Sequence, residues 1–174
     1  MTDQSGTPRP MQTITPSPDD PRALRDALGR FATGVTVITT ASDIGPLGIT
    51  ANSFASVSLD PPLVLWSPAR ASKRFAAYAE AKHYAIHILG AEQEELSRHF
   101  ATQGSDFSGI DWAPGAHETP LIEGCLARFE CTPVAVHDGG DHVIVVGRVD
   151  RASWRDGAPL LFLSGTFGRF ARPD

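Results

Sequence analysis

Two long strand-like runs, Cys125–His137 and His142–Trp154, meet at the short turn Asp138-Gly139-Gly140-Asp141. That pair constrains the fold more than any other feature of the chain. Strands joined by so tight a turn run antiparallel, because a parallel pair needs a crossover of a dozen or more residues. Pro133 lacks the N–H that a ladder uses, so it marks an edge position or a bulge in the first run. Elsewhere the same period recurs. Val35-Thr36-Val37-Ile38-Thr39-Thr40 is β-branched throughout, Ser42–Pro46 reads as a turn, and Leu47–Ala51, Leu63–Trp66 and Tyr84–Leu89 read as further strands. Helical patterns are few. Asp20-Pro21 reads as a cap followed by a first-turn proline, with Leu24, Ala27, Leu28 and Phe31 on one face as far as Gly34. Ser72 is placed to cap a short helix through Phe75, Ala76 and Ala79, and Glu92–Phe100 forms another; Thr102–Glu123 reads as a long irregular loop. Without βαβ alternation or an internal repeat, the expected class is mainly β: a small antiparallel barrel with peripheral helices.

At 174 residues and 41% hydrophobic content the chain suits one domain with one core. We assign it to residues 21–174. Residues 1–20, rich in Thr, Ser, Pro, Gln and Asp, cannot bury enough apolar surface to offset their ordering entropy and are expected to form a flexible tail. The net charge of −5 without a Lys/Arg cluster argues against a nucleic-acid binder, which needs a basic face to displace counterions. An anionic ligand would instead need a local patch, for which Arg70, Lys73 and Arg74 are candidates. No apolar run approaches the ~20 residues of a membrane span, and the N-terminus lacks the basic-then-apolar order of an export signal, so no membrane partner and a cytoplasmic location are expected.

Cys125 and Cys131 share one run at a separation of roughly 20 Å and read as two reduced thiols. His83 and His87 would stand roughly 13 Å apart along a strand, too far to ligate one ion. No metal site is expected.

The stretch from Gly48 to Leu65 gathers Thr50, Asn52, Ser53, Ser56 and Ser58, side chains that donate and accept hydrogen bonds without charge, beside the small Ala51 and Ala55. It describes a cradle in which a flat, polar-edged ligand approaches the backbone, set in a bend between two strands. Neither GxGxxG nor GxxxxGK[ST] occurs, so a phosphate would need another device. Ser67–Arg74 offers one, with a hydroxyl and free N–H groups near Ser72 and charge from Arg70 and Lys73.

From about Leu24 to Phe170 the chain resembles the flavin reductase-like family, the FMN-binding split-barrel proteins that include reductase components of two-component flavin monooxygenases. The resemblance rests on Arg30–Val37, the Gly48–Leu65 cradle, Trp66–Ser72, Phe129-Glu130-Cys131, Gly140–Val149, and Pro159–Phe162 with Gly165–Gly168; Asp106–Trp112 matches a further patch of relatives. It implies an NAD(P)H:flavin oxidoreductase that reduces FMN or FAD by hydride transfer from NADH or NADPH. A homodimer, with a flavin-dependent monooxygenase as partner, is implied as well. Carried onto this sequence, the flavin contacts fall on Thr50, Ala51, Asn52, Ser53, Ser56, Val57 and Ser58, with Ser67, Arg70, Ser72 and Lys73 toward the phosphate and Thr36 at the margin. His142 is the candidate for the nicotinamide side and for a catalytic role, and Phe167 a second nicotinamide contact. Ser164-Gly165-Thr166 and Phe167 replace basic and tyrosine residues of many relatives, which leaves the choice of nicotinamide open. Two rival readings are a flavoprotein that holds FMN tightly and passes electrons to another acceptor, and a non-catalytic flavin- or haem-binding module.

Overall fold

The computed structural model describes residues 10–170. Of the expected tail, residues 1–9 lie outside the described residues, and residues 10–20 carry neither helix nor strand. The chain then forms α1 (Pro21–Leu28), β1 (Thr33–Gly34), β2 (Thr36–Ser42), β3 (Gly45–Ala51), β4 (Ala55–Leu59), β5 (Pro62–Trp66), α2 (Phe75–Ala79) and β6 (Tyr84–Ile88). It continues through α3 (Glu94–Thr102), β7 (Trp112–Pro114), β8 (Pro120–Ile122), β9 (Ala127–Gly139), β10 (His142–Trp154), β11 (Leu160–Leu163) and β12 (Thr166–Arg169).

A seven-stranded sheet in the order β3-β2-β6-β9-β10-β5-β4, with every pairing antiparallel, makes the body. Leu47 of β3 and Val64 and Trp66 of β5 share one buried cluster with Ile38, Tyr84, Ile86 and Val145, although four strands separate β3 from β5 in the sheet. The sheet therefore curls around a common core, as the split-barrel class requires. Trp66 stands edge-on to Tyr78 at 5.2 Å, and the Tyr78 hydroxyl donates to Ile38 O at 2.8 Å, so α2 is fastened to β2 through the barrel wall. Gly147 of β10 leaves room for the Tyr84 phenol, which a Cβ there would overlap.

The long hairpin forms as expected, with His142 opposite Gly139 and Gly140 at the left-handed φ of 76° that so short a turn needs. Its first strand starts at Ala127, two residues past Cys125, and both cysteines are free thiols. Pro133 sits at a register shift, just past the last residue that β6 pairs, Cys131, where its missing N–H costs no ladder bond.

Three boundaries depart from the sequence reading. Helix α1 stops at Leu28 rather than near Gly34, because the Gly29 carbonyl accepts both the backbone N–H and the hydroxyl of Ser164, at 3.0 and 3.1 Å, and turns the chain into β1. Helix α3 begins at Glu94 rather than Glu92, after a turn in which Gly90 N–H donates to Gln93 Oε1 at 3.0 Å. The expected irregular loop of residues 102–123 carries the β7–β8 hairpin, whose Ile122 packs with Phe100 and Phe107 in a second core cluster beneath α3. A separate three-stranded sheet, β1-β11-β12, closes the chain.

Candidate active site

Where β3 ends, Thr50, Ala51 and Asn52 form one side of a cavity of about 420 Å³; Ser97, Arg98 and Ala101 of α3 form a second, and Phe162 and Phe167 of the β11–β12 hairpin a third. Its walls are braced. Thr50 Oγ1 donates to Ser97 O at 2.6 Å, and Arg74 Nη1 donates to Gly48 O at 2.8 Å and Phe100 O at 2.7 Å, while Nη2 donates to Ala101 O at 2.9 Å. One guanidinium thus neutralises the carbonyl end of α3 and ties it to β3. A Cβ on Gly48 would lie 2.5 Å from the Phe100 ring, so glycine there lets helix and strand approach.

Ser97, a residue of the cavity wall, is 1% exposed, and its hydroxyl has no hydrogen-bond partner among the described residues. A buried hydroxyl left unpaired costs about 1–3 kcal/mol, a deficit that a polar-edged ligand relieves. Across the opening Arg98 holds its guanidinium 4.8 Å above the Phe167 ring and bonds Glu94 Oε1 at 2.6 Å. A mostly apolar cleft of this size with a few aimed polar groups fits a flat heteroaromatic ring such as a flavin.

The expected flavin residues divide. Thr50, Ala51 and Asn52 line the cleft. Thr36 is buried and donates its hydroxyl to Ala51 O at 2.7 Å, so it shapes the wall rather than facing the opening. Ser53 Oγ accepts the Ser67 N–H at 2.9 Å, which fastens the β3–β4 link to the end of β5. The bend expected over Gly48–Leu65 is only partly one: Ala55–Leu59 is itself the edge strand β4. There Ser56 and Val57 are exposed and Ser58 half-buried across a bulge, and none of the three borders the cleft.

The phosphate candidates also differ from expectation. Ser72 does not cap α2; the helix is preceded by Arg74, and the Ser72 hydroxyl accepts the Arg74 N–H at 3.2 Å in the turn before it. Arg70 pairs with Asp138 at 2.6 Å and donates Nε–H to Gly140 O at 3.0 Å, which holds the β9–β10 turn and keeps the Asp138 carboxyl below the usual carboxylate range. Lys73 is exposed. Two of the three expected cations are therefore already engaged.

His142 stands at that same turn, bridged to Ala69, with Nδ1 2.7 Å from Asp141 Oδ1; the hydrogen bond and the ring's charge hold the Asp141 carboxyl low. The structure thus brings Phe167 to Thr50–Asn52 and sets His142 apart from them beside Arg70. Sequence reasoning missed Ser97, Arg98 and Ala101. Their signal was faint: in α3 only Leu96 and Phe100 declare a face, and a serine beside them reads as solvent.

His87 is fully buried, with Nδ1 3.0 Å from Val37 O and Nε2 accepting the Ile122 N–H at 3.0 Å. That pairing fixes a neutral ring protonated on Nδ1, and burial pushes its pKa down to about 4. His83 stacks on His117 at 3.7 Å. Among the described residues no group of His, Cys, Asp and Glu could hold a metal ion.

The model of the flavin reductase like domain matches residues 28–171. The FMN reductase (NADH) SmoA of Agrobacterium fabrum is 55% identical over 159 residues, which cover 91% of each chain. The flavin-dependent monooxygenase reductase subunit HsaB of Mycobacterium tuberculosis is 43% identical over 152 residues, 85% of this chain and 81% of that one. The solved NADH:FAD oxidoreductase SgcE6 of Streptomyces globisporus superposes with a TM-score of 0.88 at 39% identity, over 95% of this chain and all of that one.

Proposed function

We propose, since the chain belongs to the flavin reductase-like family, that it is an NADH-dependent flavin reductase which supplies reduced flavin to a flavin-dependent monooxygenase. The observation that carries this is the 55% identity to an NADH-dependent FMN reductase across 91% of both chains. NADH, flavin and a proton become NAD⁺ and reduced flavin, the bound flavin ring serving as the two-electron acceptor for the hydride of nicotinamide C4.

The residues of this chain do the positioning. Thr50, Ala51 and Asn52 present backbone and amide donors along one edge of the cleft, and the unpaired Ser97 hydroxyl adds a fourth polar group. Donors fixed there favour the more electron-rich, reduced ring without reorganising when charge develops. We assign Phe167, whose ring lies under the Arg98 guanidinium and edge-on to Phe162, to the nicotinamide side, and close approach rather than strong acid–base chemistry sets the rate of hydride transfer. We assign Ser53, Ser67, Ser72 and Lys73 to the phosphate side of the flavin, and His142, on the β9–β10 turn, to the nicotinamide carboxamide. Ser56, Val57 and Ser58 belong to the edge strand β4.

We further assign a homodimer whose contact surface includes the outer face of α1 and the β4 edge. Leu28, Phe31, Val57 and Leu59 are 66%, 78%, 49% and 95% exposed, large apolar side chains that such a contact would cover. No helix among the described residues is long and apolar enough to cross a membrane; the use of NADH agrees with a cytoplasmic location.

Absorbance at 340 nm tests the reading. Loss with NADH and excess free FMN or FAD supports it. Turnover confined to a flavin that copurifies would favour an electron carrier with tightly held FMN, and no oxidation of NADH would leave a binding module.

A further inference from the structure

Arg74 bonds two walls of the cleft and is not among the residues that line it. We propose that Arg74 is a positioning residue for hydride transfer: by spanning Gly48 of β3 and the last turn of α3, it sets the separation between the Thr50–Asn52 wall and the Ser97–Ala101 wall, and hence the seat of the flavin ring. The inference rests on the flavin reductase reading.

Strand β3 is the outer strand of its sheet, so the groups that Gly48 turns away from β2 have no strand to bond. They are met instead by the guanidinium at the carbonyl and by Gly104 O, which accepts the Gly48 N–H at 2.7 Å. The other bonds of Arg74 fall on Phe100 O and Ala101 O, carbonyls of the last turn of α3 that no further helical N–H can pair. A strand edge and a helix end are thus joined by one planar group, and Ala101 belongs to the cleft wall.

The slot is shaped for that group. A Cβ on Gly104 would lie 2.5 Å from Arg74 Nη1 and 2.6 Å from Gly48 O. Among the described residues no carboxylate pairs with Arg74, so its donors stay with the carbonyls. Thr50 holds α3 one turn earlier through Ser97 O. Two ties a turn apart fix the tilt of a helix as well as its separation, whereas one leaves it free to swing. A wall displaced by about 1 Å can cost a positioned reaction about a hundredfold in rate.

Arg74→Ala and Arg74→Lys are compared with the wild type by FMN fluorescence titration and by single-turnover hydride transfer at saturating FMN. Both are repeated in millimolar guanidinium chloride, with sodium chloride as the ionic-strength control. Arg74→Ala is expected to weaken FMN binding about tenfold and, with the site filled, to slow transfer about tenfold. Guanidinium, but not sodium, restores most of the lost affinity by occupying the vacated slot. Arg74→Lys keeps the charge but not the fork, and recovers only part of the loss. A lower melting temperature with unchanged affinity and rate in the folded fraction would make Arg74 structural only and overturn the proposal. So would an impaired Arg74→Ala that guanidinium leaves unchanged, or an Arg74→Lys equal to the wild type. Should Arg74→Ala fail to fold, Arg74→Lys decides alone: a joint fall in affinity and rate supports the assignment, and wild-type values overturn it. A wild type that neither binds FMN nor oxidises NADH would instead count against the reductase reading, and the proposal would fall with it.

Discussion

Arg98 lays its guanidinium 4.8 Å from the centroid of the Phe167 ring, so α3 and the β11–β12 hairpin meet across the cleft through a cation–π contact. Such a contact is worth about 0.5–1 kcal/mol where solvent reaches it. Its position matters more than its strength, because it ties α3 to the β11–β12 hairpin on either side of the cleft.

Replacing Phe167 by alanine is therefore expected to raise KM for NADH about fivefold, with a smaller effect on the dissociation constant of FMN. Steady-state rates at 340 nm and flavin fluorescence titration measure the two quantities. A loss confined to FMN affinity would move Phe167 to the flavin side.

Ser97→Ala removes a hydroxyl that has no partner in the ligand-free protein. Thermal stability should stay the same or rise slightly, while FMN affinity falls about fivefold, equivalent to one hydrogen bond of about 1 kcal/mol. A clear drop in melting temperature without loss of affinity would mean that the hydroxyl serves the fold.

On the proposed assignment of His142 to the nicotinamide, His142→Ala should lower kcat/KM for NADH about tenfold and leave FMN binding intact, since the imidazole is not among the residues that line the cleft. Equal losses in both measurements would contradict a role on the nicotinamide side.

Stability should fall in mild acid because of His87. Its folded pKa, about 4, lies below the unfolded value of about 6.5, so the unfolded chain takes up a proton first as pH drops. The contribution is complete above pH ~6.5 and is lost progressively toward pH ~4, on the order of 3 kcal/mol in all. Urea midpoints between pH 7 and 4 would show the slope, and a flat profile over that window would rule out a buried neutral ring.

Much of the barrel was legible because its signals are local: the β-branched run of β2 and the Gly139-Gly140 turn fix their own backbone. Boundaries set by distant partners were not, as at α1, where a serine 135 residues later claims the Gly29 carbonyl. In the site, Thr50–Asn52 and Phe167 were recoverable as polar and aromatic residues at informative places. Ser97 and Arg98 were not, since a serine and an arginine in a helix acquire meaning only from the cavity beside them. Charge misled for a related reason: Arg74 looked available for a phosphate, yet its two terminal guanidinium nitrogens donate to three backbone carbonyls of β3 and the end of α3.

Phe162 and Phe167 belong to a small leaflet that pairs with β1 and is hydrogen-bonded to the barrel chain just past the end of β6, where Leu160 N–H donates to Leu89 O at 3.0 Å. The floor of the cleft is thus frame and the roof is attachment. Leu160 roots that attachment in the second core cluster, so the exposed positions of the last hairpin are where the roof of the cleft can be varied by design while the cradle beneath keeps its shape.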